Sequence, residues 1–166
     1  MCKPYSCIIK SDLTLIEGKT IATHSHTEIL KQHGLPTEIS VDQYARVELV
    51  PSDSGRTDYE SDPETWKLIL DEQRTPSWWE DNLPEIEDRV KRAAEKWKAK
   101  LLAVKRWDVV NGEYFICFGD MKPELNVSGG KVLTCDSSQP VITTVSGGKV
   151  WTCGNSQPVI KEDTRC

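Results

Sequence analysis

The last third of the chain carries the same phrase twice. Val127-Ser128-Gly129-Gly130-Lys131-Val132-Leu133-Thr134-Cys135 returns as Val145-Ser146-Gly147-Gly148-Lys149-Val150-Trp151-Thr152-Cys153. Ser138-Gln139-Pro140-Val141-Ile142 returns as Ser156-Gln157-Pro158-Val159-Ile160, at the same offset of 18 residues. One further step back gives a fainter copy, with Gly112, Tyr114, Phe115 and Cys117 under Gly130, Val132, Leu133 and Cys135. A fixed period marks a repeat architecture, in which each unit buries its apolar face on its neighbour.

Each unit reads strand, turn, strand, turn. Lys-Val-(Leu/Trp)-Thr-Cys is extended, a Ser/Asn/Gly-rich stretch turns it, Pro-Val-Ile is extended again, and Ser-Gly-Gly turns back. A β-meander and a β-solenoid both satisfy this pattern. Three features favour the solenoid, whose coils stack at about 4.8 Å. Identity holds at 18 residues and fails at 9. The prolines precede strands, where a missing N–H costs least. Cys117, Cys135 and Cys153 would stand in file. Either geometry leaves an open strand edge after the last unit, to be covered by the N-terminal part, a partner or a second copy of the chain. Self-association through the repeat is the structural expectation.

Upstream, Cys7-Ile8-Ile9, Leu13 to Ile16 and Thr20 to Thr23 read as short strands. Ser25 and Glu28 offer a capping box for a short helix closed by His33-Gly34. Val41 to Val50 and Trp66 to Asp71 read as strands around a loop from Pro51 to Asp62. Ser77 and Glu80 suggest a short helical turn carrying Trp78 and Trp79. The longest helix is expected to open at Pro84. Its residues Ile86, Val90, Ala94, Trp97 and Leu101 make one apolar stripe. The fold class is therefore α+β: an α+β domain over 1–106, followed by an all-β repeat region over 107–166.

A chain of 166 residues carrying a net charge of −5 implies no general nucleic-acid affinity. Bases do gather between Pro84 and Arg106, with eight against four acids. These are read first as the solvated face of the long helix. No N-terminal leader pattern and no apolar run of membrane-spanning length is legible. A cytosolic setting is expected, and there the six cysteines would be thiols.

The wording Ser-Gly-Gly-Lys-Val-Trp-Thr-Cys-Gly-Asn-Ser-Gln-Pro-Val, residues 146–159, resembles the Ser/Gly/Asn/Gln-rich repeat tails of uncharacterised bacteriophage and prophage proteins. The resemblance covers about the last third of the chain. It implies a phage or mobile-element origin, a β-solenoid-like tail and residence in the host cytoplasm. It implies no reaction and supplies no functional residues.

No catalytic signature stands out. Cys2, Cys7, His24 and His26 are metal-ligand types, but no Cys-x-x-Cys pair accompanies them, and neither metal nor cofactor is expected. The Gly-Gly-Lys units lack phosphate-loop spacing. Adjacent helical residues point about 100° apart, so one of Trp78 and Trp79 should stay exposed or half-covered. The candidate partner-binding residues are Trp78, Trp79 and Trp151, the acids Asp58, Glu60 and Asp62, and the repeat lysines Lys131 and Lys149. The functional expectation is a non-enzymatic phage-type protein that occupies a host protein or complex, in the manner of an anti-CRISPR or other counter-defence inhibitor. The alternatives are a self-assembling structural module, and an oligomeric sponge for signalling nucleotides with the repeat lysines on phosphates.

Overall fold

A computed structural model describes residues 5–38, 40, 42–53 and 55–165. The N-terminal half is a four-stranded antiparallel sheet of β1 (Ser6–Lys10), β2 (Leu15–Ile16), β3 (Tyr44–Val50) and β4 (Lys67–Leu70), in the order β2-β1-β3-β4. Alternation along β1 divides its side chains between two layers. Cys7 and Ile9 join Ala45, Val47 and Leu49 in the main core. Ile8 points the other way, to Ile29 and Leu30 of α1 (His26–Gln32).

The main core is closed by α2 (Trp79–Leu102), which buries the expected stripe of Ile86, Val90, Ala94, Trp97 and Leu101. Each of Ile86, Val90 and Leu101 contributes roughly 1.5–3 kcal/mol when fully withdrawn from water, the Ala94 methyl less. The opposite face carries Glu85–Arg89, Glu87–Lys91 and Asp88–Arg92 pairs at i,i+4 spacing.

The C-terminal half is a solenoid of about three coils. Strands β5 (Arg106–Val109), β7 (Glu124–Val127), β9 (Val141–Val145) and β11 (Val159–Ile160) form one parallel sheet. Strands β6 (Tyr114–Cys117), β8 (Lys131–Thr134) and β10 (Lys149–Thr152) form the other. Parallel pairing excludes the meander, because hairpins reverse strand direction. The repeated Ser-Gln-Pro has a local reason. Ser138 and Ser156 each donate to a carbonyl of the coil before, Cys117 and Thr134 respectively. The carbonyls of Pro123 and Pro140 accept from Val141 and Val159, so the prolines stack without their own N–H being needed.

Several expectations need correction. Cys117 is not in file with the other two cysteines: it pairs with Thr134, and the ladder above it is Thr134 and Thr152. The cause is length. Four residues, 110–113, link β5 to β6, whereas three, 128–130, link β7 to β8. The second and third coils come back to an offset of 18 through an extra residue, Thr143, inserted opposite Leu125 and Asn126. Cys135 and Cys153 are joined as a disulfide rather than standing as thiols, because stacking brings them face to face.

Residues 20–23 form a turn region and no strand. Ser25 occupies the N-cap position of α1, but its hydroxyl makes no capping bond, and Glu28 pairs with Lys31 instead of reaching back. The long helix starts at Trp79 rather than Pro84, absorbing the expected short turn. Pro84 lies inside it, and Asn82 Nδ2 donates to the Trp78 carbonyl in the first turn. The strand expected from Val41 begins at Tyr44; Val41 itself, like Cys2 and Cys166, lies outside the described residues. One apolar cluster runs from Cys7 through Trp97 to Val145, so the sheet, α2 and the coils share a core.

Candidate functional site

The sheet β6-β8-β10 turns Phe115, Cys117, Val132 and Thr134 inward, where all four are buried. Alternation therefore sends Tyr114, Ile116, Lys131, Leu133, Lys149 and Trp151 to the opposite face, on which Ile116 is buried as well. Register aligns Tyr114 with Lys131 and Lys149, and Ile116 with Leu133 and Trp151. The Lys131 ammonium lies 5.8 Å from the centre of the Trp151 ring, and Tyr114 meets that ring edge-on at 6.2 Å. Such a cation over an indole contributes roughly 0.5–1 kcal/mol at an accessible site. Burial of the Tyr114 phenol raises its pKa above the ordinary value. The N-terminal half reaches this face through the Tyr114 N–H, which donates to the Ala22 carbonyl at 2.7 Å.

Beside this face the solenoid is open. β10 and β11 each pair with a neighbouring strand on one side only. Val159 is 55% exposed and Ile160 42%, whereas Ile142, the twin of Ile160 one coil earlier, is fully buried beneath the last coil. The same residue type in the same coil position is thus covered or bare according to whether another coil follows.

No family model, curated protein or solved structure matches the chain. The site is therefore read from its own chemistry.

The structure brings Lys131, Trp151 and Lys149 together and ties the other candidate residues to different places. Trp79 is buried, while Trp78 is half-covered and donates its indole N–H to the Asp42 carbonyl. This is the division expected for adjacent helical tryptophans. Asp58 and Asp62 are engaged in turn formation: Asp58 accepts from the Ser61 N–H, and Asp62 caps a single 3-10 turn at Pro63–Thr65. Glu60 packs against Gly119 in the first coil. Lys98 fastens the whole loop by donating to the carbonyls of Glu60 and Ser61 from above the Trp66 and Phe118 rings. Its partial burial lowers its pKa. The acidic loop is thus a bound part of the structure, not a free acidic arm.

Nucleophilic thiols need a lowered pKa. Burial does the opposite here, raising Cys117 to about 12 and Cys7 further above the usual thiol range. His26 and Asp71 do pair, Nδ1 to Oδ2 at 3.3 Å, with Glu48 close by. A carbonyl can only accept, so His26 Nε2 donates to the Val47 carbonyl at 3.1 Å. This buried ring is thereby held between backbone and carboxylate. Sequence reasoning missed Tyr114, Val159 and Ile160 as surface residues, although the repeat pattern placed all three in its columns. His24, noted in the sequence only as a metal-ligand type, is instead buried beside Trp97.

Proposed function

We propose that the chain is a non-enzymatic binding protein that works through the open end of its solenoid, with a second copy of itself as the occupant. The observation that carries this is the contrast between buried Ile142 and exposed Ile160. The surface that covers Ile142 is the chain's own next coil, so the repeat already contains a sequence complementary to the surface left bare. An edge strand with unpaired backbone groups recruits another strand, here the same strand of a second copy running antiparallel across a two-fold axis. Two terminal coils meeting edge to edge would cover Val159 and Ile160 in both copies.

Sedimentation velocity of the full chain over a range of concentrations tests this. A reversible dimer is expected, converted to monomer by Val159→Asp with Ile160→Asp. Both positions are solvent-facing, so the variant should fold. A strict monomer at every concentration would sink the reading.

A second reading has its own support. Trp151 flanked by Lys131 and Lys149 beside the edge has the composition of an interaction hot spot. That surface suits a heterologous macromolecule, as the phage-type repeat implies for a counter-defence inhibitor. Trp151→Ala should then abolish capture of a defined host complex while leaving the sedimentation behaviour unchanged.

A further inference from the structure

On the α1 side of the antiparallel sheet, three metal-ligand side chains meet from three elements. Strand alternation sets two of them. Ala45, Val47 and Leu49 enter the main core, so Glu48 points to the opposite side, which also carries Ile8 and α1. Register places Ile69 opposite Glu48, and Asp71, two residues on, returns to that side with its N–H donated to the Arg46 carbonyl at 2.9 Å. His26, the first residue of α1, meets this pair. One ligand atom from each of His26, Glu48 and Asp71 lies within 4.8 Å of the other two. The His26 ring and Glu48 are buried, whereas the Asp71 side chain is 54% exposed.

The orientation of the ring decides what this cluster can hold. His26 Nε2 gives its proton to the Val47 carbonyl, so a neutral ring turns the Nδ1 lone pair toward Asp71 Oδ2, 3.3 Å away. Two lone pairs set face to face repel, and a cation between them removes the conflict. A proton there makes an imidazolium–carboxylate bond, whose usual N–O distance is about 2.7–2.9 Å. A metal ion makes a longer edge. With metal–ligand distances of about 2.0–2.2 Å, neighbouring ligand atoms of a tetrahedron stand about 3.3–3.5 Å apart. The observed 3.3 Å matches the metal edge. A ring N–H given to a backbone carbonyl is also the usual outer support of a metal-bound histidine. The nearby guanidinium groups are held elsewhere: Arg46 by Glu72 and the Thr37 carbonyl, Arg74 by Asp42.

We infer that His26 Nδ1, Glu48 and Asp71 hold one divalent transition-metal ion of the zinc type. One imidazole and two carboxylates suit zinc, whereas calcium and magnesium call for shells made of oxygen. Three protein ligands leave a fourth tetrahedral position for water. The ion ties α1 to β3 and to the end of β4. Of the metal-ligand types noted in the sequence, His26 takes part and Cys7 does not, because alternation turns Cys7 into the main core on the other face of β1. The two carboxylates come from separate strands, and no ligand spacing along the chain announces them.

The test is titration of the full chain, first stripped with chelator, with zinc chloride and, separately, magnesium chloride. Binding is read by heat and by the ¹⁵N resonances of the His26 ring. Saturable binding of zinc is the expected result, with a shift of His26 Nδ1, Nε2 still protonated, and no response to magnesium. Asp71→Asn and Glu48→Gln, each close in shape to the parent side chain, should weaken zinc binding by at least about tenfold. His33→Gln, at an exposed histidine outside the cluster, should leave it unchanged. Absence of saturable zinc binding overturns the proposal. So does zinc binding that leaves the His26 Nδ1 resonance of the parent chain unmoved, whatever the variants do, since the ion then sits elsewhere. Self-association through the last coil is measured without added metal and is independent of either result.

Discussion

Cys135 and Cys153 sit 4.7 Å apart at their Cα atoms, one directly above the other, and their disulfide clamps the third coil to the second. The bond closes a loop of 18 residues that includes β9 and the turn into β10. Loop-closure entropy assigns such a crosslink about 3 kcal/mol. Oxidised protein should therefore lose about that much stability on Cys153→Ser, with the loss concentrated in amide-exchange protection of β10 and β11. Urea unfolding with and without reductant checks it; identical midpoints would mean that the pair contributes nothing.

Gly148 tests how closely the coils approach. Its φ is +73°, and a Cβ there would meet the carbonyl oxygens of Gly129 and Gly130 at 2.6 Å. Gly148→Ala should cost more than about 2 kcal/mol, since left-handed strain alone accounts for about 1–2 and the turn beneath must also move. Gly34, at φ +66° with nothing within 4 Å of the added atom, is the control. Gly34→Ala should cost only the conformational part, about 1 kcal/mol. Thermal unfolding of the two variants gives the comparison.

His24 makes stability depend on pH. Burial lowers its pKa to about 4, with the nearby Ile21 carbonyl opposing in part, against an ordinary value of 6.5. Below 6.5 the unfolded chain takes up a proton that the folded ring refuses. Stability from this group is therefore full above about 6.5 and falls as pH drops toward 4, by up to about 3 kcal/mol. Unfolding free energies measured between those limits should slope accordingly, and His24→Gln should flatten the slope. If the variant and the parent show parallel profiles, the ring is not held neutral.

Cys7 and Cys117 should resist thiol reagents in the native state. Both are buried with their pKa values raised by desolvation, so the reactive thiolate is scarce and shielded. Peptide mapping after native labelling should find both unmodified, with labelling appearing only in denaturant. Rapid native labelling of Cys117 would show that the first coil opens locally.

Much of the scaffold is legible in residue order alone. The stripe from Ile86 to Leu101 is a helix face wherever it occurs, and the copied phrase from Val127 to Ile160 demands stacked, equivalent strands. The start of α2 was hidden because Pro84 tolerates a first-turn position so well. Only the burial of Trp79 against the core extends the helix back beyond it. Cys117 fell out of its column because the divergent first copy carries one extra turn residue between Val109 and Tyr114, which residue spacing across a degenerate copy does not reveal.

The candidate sites divide in the same way. Lys131, Lys149 and Trp151 share a face because strand alternation and the repeat period, both local rules, put them there. His24 acquires its buried setting from Trp97, more than seventy residues away, and no local pattern encodes that meeting. By itself the sequence determined the period, the strand faces and the amphipathic helix, because these follow from how successive side chains point along a backbone. The tertiary structure alone decided which surfaces are covered, since burial at Ile142 and exposure at Ile160 depend on what is stacked above them.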